Sequence, residues 1–270
     1  MTALPNTKHF AAPVRRRGTI SVPTVTLAHG GGGSAMRNLI DDVFVSVFDN
    51  PALAPLEDQA RFSLAELSRL GDRLAFTTDS YVVDPLFFPG GDIGKLAVCG
   101  TINDLAVGGA IPLYLTCSAI IEEGLEVDTL RALAKSMALA AADAGVSIVT
   151  GDTKVVHKGT CDKLFLNTAG IGIIREGVNL GADRCRPGDA ILVNGLLGDH
   201  GAAILNARGD MALSTAIESD CAALHELIAE EGSLSASWRW RTRSARRAAG
   251  RILDEATIWL EARDAAKSRG

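Results

Sequence analysis

The stretch Gly71 to Gly109, GDRLAFTTDSYVVDPLFFPGGDIGKLAVCGTINDLAVGG, constrains this chain most, because it reads as a strand, a loop and a helix that aim carboxylates at one point. Leu74 to Thr78 has the short apolar character of a strand, and Asp79 and Ser80 follow where that strand is expected to run out. The loop DPLFFPGGD closes on Asp92, a helix N-cap residue, and Ile93 opens a helical pattern. On that helix Asp104 stands at i+4 from Gly100, i+7 from Ala97 and i+8 from Leu96, so a carboxylate shares a face of small apolar residues. A buried, unpaired carboxylate is costly, so Asp104 needs a cation, a hydrogen-bond donor or a metal. A helix whose Asp simply bonds a neighbouring loop is the plainer alternative, and these residues alone leave the two level.

Two glycine turns lie on either side of this stretch. Val22 to Ala28 reads as a short strand running into His29 and Gly30, Gly31, Gly32 and Gly33, and Ser34 then caps a helix with Met36, Leu39, Ile40, Val43, Phe44 and Val47 on one side. Backbone N–H groups without side chains can approach an anion closely, which makes this a phosphate-cradle pattern. It lacks the G-x-x-x-x-G-K-[ST] loop, though Gly30, Gly32 and Ala35 loosely match the dinucleotide G-x-G-x-x-[GA]. A flexible hinge is the alternative. The second turn lies in LGDHGAAIL, which follows the expected strand AILVNG and carries Asp199, His200 and Gly201 at a helix start.

Between the turns, LYLTCSAII (113–121) reads as a strand, and Asp128 caps an amphipathic helix that Gly145 ends. SIVTGDTKVV (147–156) is a strand broken by Gly151 that places Asp152, Thr153 and Lys154 together, and LFLNTAGIGII (164–174) is another strand. Three aspartates (Asp79, Asp104, Asp152), one lysine and two glycine turns have a physical logic. Carboxylates alone repel a triphosphate, whereas Mg²⁺ takes hard oxygen ligands from both and bridges them. Lys154 and the turn N–H groups then offset the remaining phosphate charge. A dinucleotide enzyme is the alternative, weakened because a pyrophosphate site without metal does not favour so many acids.

At 270 residues, 47% hydrophobic and 22% charged, the chain has an ordinary soluble composition, with length for one or two domains and no apolar run near the roughly 20 residues that cross a bilayer. The segment before residue 25 carries Arg15, Arg16 and Arg17 without a signal-like apolar core, and reads as a flexible basic arm. Cys99, Cys117, Cys161, Cys185 and Cys221 are scattered, without C-x-x-C spacing, which fits a reducing, cytoplasmic compartment. Charge is unevenly spread. Residues 232–270 hold nine Lys and Arg against four acids, a net of +5, which leaves −10 for residues 1–231. All three tryptophans also lie in this basic tail. Ser235 to Arg247 is expected to be disordered, and Ala248 to Lys267 to form a short amphipathic helix through Ile252, Ala256, Trp259 and Leu260.

LAHGGGGSAM, NPALAPLEDQAR, the long run from Gly71 to Pro112, IVTGDTKVV, LFLNTAGIG and LGDHGAAILN together resemble the hydrogenase expression/formation family HypE, which shares an ATP-binding superfamily with aminoimidazole ribonucleotide synthetase and selenophosphate synthetase. The resemblance runs from about Val25 to about Glu231. It implies an α/β (α+β) fold: an ATP-binding domain over 25–184, whose mixed sheet pairs in a homodimer, then a second α/β domain beginning at 185–231. Residues 1–24 are then an arm, and 232–270 an atypical tail.

The implied reaction is ATP-dependent dehydration of a cysteine S-carboxamide to a thiocyanate, the source of iron cyanide ligands in [NiFe] hydrogenase, with ATP and Mg²⁺ as cofactors. The resemblance further implies Asp79, Asp104 and Asp152 as metal ligands and Lys154 and Asp79 as catalytic residues. The implied nucleotide site comprises Gly30 to Gly33, Asp79, Ser80, Asn103, Asp104, Asp152, Thr153, Lys154, Asp199, His200 and Gly201. The implied partners are a second copy, the carbamoyltransferase HypF and the iron scaffold HypC–HypD, with no nucleic acid and no membrane. Beyond Glu231 the family pattern stops, so the second domain is expected to be incomplete and the acceptor cysteine to be missing. The alternative is therefore an ATP-binding and dimerisation module without turnover.

Overall fold

The computed structural model describes residues 18–181, 187, 190–193, 195–210, 217–232, 238–243 and 256–261. The chain order is α1 (Ser34–Leu39), α2 (Leu64–Leu67), β1 (Arg73–Tyr81), β2 (Phe87–Phe88), β3 (Gly91–Asp92), α3 (Ile93–Val107), β4 (Ala110–Glu122), α4 (Val127–Asp143), β5 (Ser147–Val156), β6 (Leu164–Ile174), β7 (Ala190–Val193), α5 (Asp199–Arg208), α6 (His225–Gly232), β8 (Trp238–Arg243) and β9 (Ala256–Glu261). The main sheet runs β1-β6-β4-β5, antiparallel except for the parallel pair β4/β5, so it is mixed as expected.

Alternation decides which face is core. Tyr81, Leu115, Cys117, Ala119, Ile121, Leu164 and Leu166 are buried with Ile102 of α3 and Leu130, Leu133 and Met137 of α4. The intervening residues of β1 and β4 turn the other way, leaving Leu74, Phe76 and Ile120 exposed, with Phe76 at 67%. One face is therefore a packed core and the other an open surface of mixed apolar and polar residues.

The helices begin and end where side chains satisfy them. Asp92 Oδ1 accepts from the N–H groups of Gly94 (2.8 Å) and Lys95 (3.0 Å), the N-cap expected for α3, and Ser136 Oγ donates to its other oxygen at 2.5 Å. α4 starts one residue before Asp128, and Gly145 at φ 66° ends it, with Val146 N–H reaching back to Ala141 C=O at 2.9 Å. α3 packs close under the sheet because Gly100 and Gly170 leave room. A Cβ on Gly100 would stand 2.3 Å from Tyr81 Oη, and one on Gly170 2.9 Å from both Thr101 and Leu105.

Three expectations are corrected. Val22–Ala28 is not a strand: Thr24 makes one bridge to Glu126, and Leu27–Gly30 then turns as a 3-10 helix. Pro23 has no N–H to offer a ladder, and only Val25 pairs on both sides, with Leu125 and Gly124. β1 continues through Asp79 and Ser80, which pair with Thr168 and Asn167, because β6 is long enough to partner them. The tail is extended where described: β8 and β9 pair with β7 in the order β7-β9-β8. WRWRTR and ATIWLE are rich in aromatic and β-branched residues, and this outweighs the helical spacing of Ile252, Ala256, Trp259 and Leu260. Residues 244–255 and 262–270 lie outside the described part, as do the arm before residue 18 and Arg186 and Gly188.

Gly100→Ala is expected to destabilise the protein by about 1–3 kcal/mol through overpacking against Tyr81. In urea unfolding the loss in a Gly100→Ala, Tyr81→Phe double variant should fall short of the sum of the two single losses, because the removed hydroxyl is the atom the new methyl strikes.

Candidate functional site

Asp79 and Asp104 lie on the facing sides of β1 and α3, close enough for the charge of one to act on the other. Asp79 shares the core-facing side of β1 with Thr77 and Tyr81, and Asp104 rises toward it from the C-terminal half of α3. Thr77 Oγ1 donates to Asp104 Oδ2 at 3.4 Å, and Ser80 N–H donates to Asp79 Oδ1 at 2.7 Å. Burial raises the Asp104 pKa above its ordinary value, the Asp79 charge raises it further, and the Thr77 hydrogen bond only partly offsets them.

A buried relay of hydroxyls lies beside the pair: Tyr81 to Thr101 at 3.2 Å, Thr101 to Thr168 at 2.5 Å, and Thr168 to the Ala97 carbonyl at 3.0 Å. Asn167, its neighbour on the opposite face of β6, donates to Ser80 Oγ and to the Asp79 carbonyl, both at 2.9 Å. Thr77, Thr101, Asn167 and Thr168 were not singled out in the sequence. The available signal was the alternation that sets Thr77 two residues before Asp79, and the adjacent amide and hydroxyl, Asn167 and Thr168, in the mostly apolar LFLNTAGIGII.

Asp152 and Lys154 stand elsewhere. They lie on β5, three strands from β1, or roughly 14 Å at the usual strand spacing. Asp152 pairs with Ser118, which pairs with Asn167, which pairs with Ser80; this polar row crosses the open face. Asp79 belongs to the adjacent row, on the core side. Thr153 is buried, between Asp152 and Lys154 but on the other face. No single Mg²⁺, with ligands at about 2.1 Å, can be held by all three aspartates of one chain. Among the described residues no three of His, Cys, Asp and Glu gather as a metal site. Asp79 and Asp104 do fit Mg²⁺, which commonly takes one or two carboxylates with substrate phosphates, and their mutual repulsion is what a cation relieves.

The first glycine turn lies against β5. A Cβ on Gly30 would stand 2.9 Å from Val155 Cβ, Gly32 has φ 79°, and nothing is within 4 Å of where Cβ atoms on Gly32 or Gly33 would be. His29 is buried, and its Nδ1 accepts from Thr26 N–H at 3.0 Å, pinning the turn. The hinge alternative thus gives way to an anchored turn with exposed backbone. The second turn opens α5 at Gly198, φ 92°. Its His200 is buried, bonded through Nδ1 to Ser219 Oγ at 2.9 Å and set edge-on to Phe88 with ring centroids 5.2 Å apart. Asn103 points away from the acid pair: its Nδ2 donates to the Ala222 carbonyl at 3.0 Å, and its Oδ1 accepts from Leu224 N–H at 2.7 Å. Both amide atoms are spent on backbone, a structural clamp where a nucleotide contact was expected.

Residues 57–174 match the family model described as AIR synthase related protein, N-terminal domain. The chain is 63% identical over 206 residues to the carbamoyl dehydratase HypE of Rhodobacter capsulatus, covering 76% of this chain and 60% of that protein. It therefore spans about three fifths of the length of the curated relatives it matches. The crystal structure of Escherichia coli HypE superposes with a TM-score of 0.77 at 45% identity, over 84% of this chain and 83% of that one. A crystal structure of HypE in complex with ATP gives 0.74 at 49% identity, over 81% and 64%. One of a HypE–HypF complex gives 0.62 at 48% identity, over 76% and 65%.

The Asp104 shift has a checkable sign. A raised folded-state pKa favours folding fully below the unfolded value, and that contribution is lost as pH rises through the folded value. Without metal, Asp104→Asn should therefore melt above the parent at neutral pH, and the gap should close as pH falls below about 4, where both side chains are neutral. Equal melting at neutral pH would show that neither burial nor the Asp79 carboxylate penalises the charged form of Asp104.

Proposed function

The chain belongs to the carbamoyl dehydratase HypE family of hydrogenase maturation proteins, and from that premise we propose that it binds MgATP and dehydrates a cysteine S-carboxamide to a thiocyanate. The observation that carries the reading is the half-buried Asp79–Asp104 pair, whose repulsion calls for a cation, in a fold whose ATP complex is known for a relative 49% identical. Mg²⁺, when bound, would supply charge neutralisation between these two carboxylates and the phosphates. The chain's own residues do the rest. The Gly30–Gly33 backbone offers N–H groups to phosphate oxygens, and α5 presents its N-terminus at Asp199. Lys154 contributes a mobile ammonium to the group being transferred.

The chemistry suits such a site. A carbamoyl oxygen leaves poorly as hydroxide or water, whereas its phosphorylated form leaves as phosphate. Loss of the two nitrogen protons then gives the nitrile, with ADP and phosphate as co-products. Asp79 is the residue we assign to proton removal.

Because Asp152 and Lys154 lie a sheet's width from Asp79 and Asp104, the proposal includes a second copy. Two open faces packed about 10 Å apart around a twofold axis can set β5 of one copy over β1 of the other, with Leu74, Phe76 and Ile120 providing apolar contact. Asp152 and Lys154 of one protomer then face the Ser80–Asn167 row of its partner, next along β1 from Asp79. HypF, seen with a relative, is the proposed carbamoyl donor, and HypC–HypD the proposed acceptor of the cyanide.

Calorimetry tests the site. Asp104→Asn should weaken MgATP binding at least tenfold relative to the exposed control Asp58→Asn, and an unchanged affinity would remove Asp104 from the metal site. Turnover is tested by ATP hydrolysis with a carbamoylated cysteine peptide supplied in trans. Lys154→Ala should lower kcat more than it raises KM; equal losses would reduce Lys154 to uniform binding. ATP binding with no peptide-dependent hydrolysis would favour the module without turnover. Light scattering should find a dimer at micromolar concentration, and Phe76→Glu should shift it toward monomer.

A further inference from the structure

Asn103 and Cys99 stand one turn apart on the same face of α3, and a single segment, residues 217–224, lies across both. Asn103 clamps the backbone of Ala222 and Leu224, while Ser219 N–H donates to the Pro89 carbonyl at 2.8 Å and Cys221 N–H to Ser219 Oγ at 3.2 Å. Residue 221 is thereby fixed in place over α3. Cys221 is thereby set beside Cys99, near enough for each thiol to influence the other's ionisation. Cys99 is 4% exposed and Cys221 half-buried.

The surroundings favour a thiolate at Cys99. The Cys221 hydrogen bond lowers its pKa, and the Lys95 ammonium, one turn earlier on α3, lowers it further against the opposing effect of burial. The same contact, with burial, raises Cys221. The other described cysteines lack such a neighbour: Cys117 is fully buried, its thiol pushed up to about 12 by desolvation, and Cys161 is raised by burial and by the Glu122 and Asp162 carboxylates.

We propose that Cys99 and Cys221 are a redox modification site, closed to an intrachain disulfide by a peroxide, which locks the 217–224 segment onto α3. The Cys99 thiolate attacks one peroxide oxygen, the O–O bond breaks, and the departing hydroxide takes up a proton as water. The Cys221 sulfur then attacks the Cys99 sulfenic sulfur, the S–O bond breaks, and the released hydroxide takes the Cys221 proton as a second water. Both thiols are oxidised and one hydrogen peroxide is reduced to two waters. The bond would span α3, which carries Asp104, and the segment that holds His200 through Ser219.

The test is titration of the full-length chain with hydrogen peroxide at about one equivalent, with intact mass, peptide mapping without reductant, and thermal unfolding. The expected result is a mass lower by about 2 Da, free thiols falling from five to three, and one linked peptide pair containing Cys99 and Cys221. Tm should rise by several degrees and return on adding dithiothreitol. Cys161→Ser should leave the linked pair intact and Cys221→Ser should abolish it; should Cys99→Ala not fold, Cys221→Ser alone carries the comparison. Sulfinic acid on either cysteine without a linked pair, or a dimer bridged through Cys161, would overturn the proposal.

Discussion

Two like charges facing each other across β1 and α3 set the terms for the surrounding structure. The strand and the helix that carry them are both anchored. Asp79 is fixed by pairing with β6 and by the Ser80 N–H, and Asp104 by a helix capped at Asp92 and packed against Gly170. Burial first, and then the Asp79 charge, raise the proton affinity of Asp104, and the Thr77 hydrogen bond offsets them only in part. A pair held this way stores an affinity for cations, because whatever neutralises it recovers the electrostatic cost that folding left in place. The hydroxyl relay from Tyr81 to Thr168 supplies rigidity beneath it without adding charge.

Much of this was legible in the sequence. Asp92 as a cap, Asp104 on a small-residue face, the strands at 110–122, 147–156 and 164–174, and the two glycine turns follow from local rules that packing does not overturn. The grouping of Asp152 and Lys154 with the acid pair was not secured, because strand order and parity are non-local. Nothing in SIVTGDTKVV says that its strand sits at the far edge from RLAFTTDSY. The Asn103 clamp was hidden for a related reason: an amide beside Asp104 suits a nucleotide as well as a backbone clamp, and the clamped segment lies about 120 residues further on.

The tail shows the opposite failure. Its helical spacing is real but short, and a marginal helix yields when a free strand edge is offered. β7 offers that edge, and β9 and β8 take it in turn. Composition, rich in arginine and tryptophan and free of acids, pointed to disorder over Ser235 to Arg247, where Trp238–Arg243 instead pairs as β8.

The bulge on β5 has a wider meaning. Between Leu115 and Thr116 of β4, the partner strand advances from Ile148 to Thr150, so that Val149 is an extra residue and both Ile148 and Val149 are buried. Gly151 follows, where a Cβ would collide with the Cys117 carbonyl at 2.1 Å, so the register is held just past the insertion. Counted in twos from Ile148, Asp152 and Lys154 belong with the core; counted across the bulge, they belong to the open face. Which surface receives the acid and the ammonium is therefore recorded in the number of backbone units. A lineage could move this chemistry from the interior to an interface by gaining or losing a single codon, with every reactive side chain unchanged.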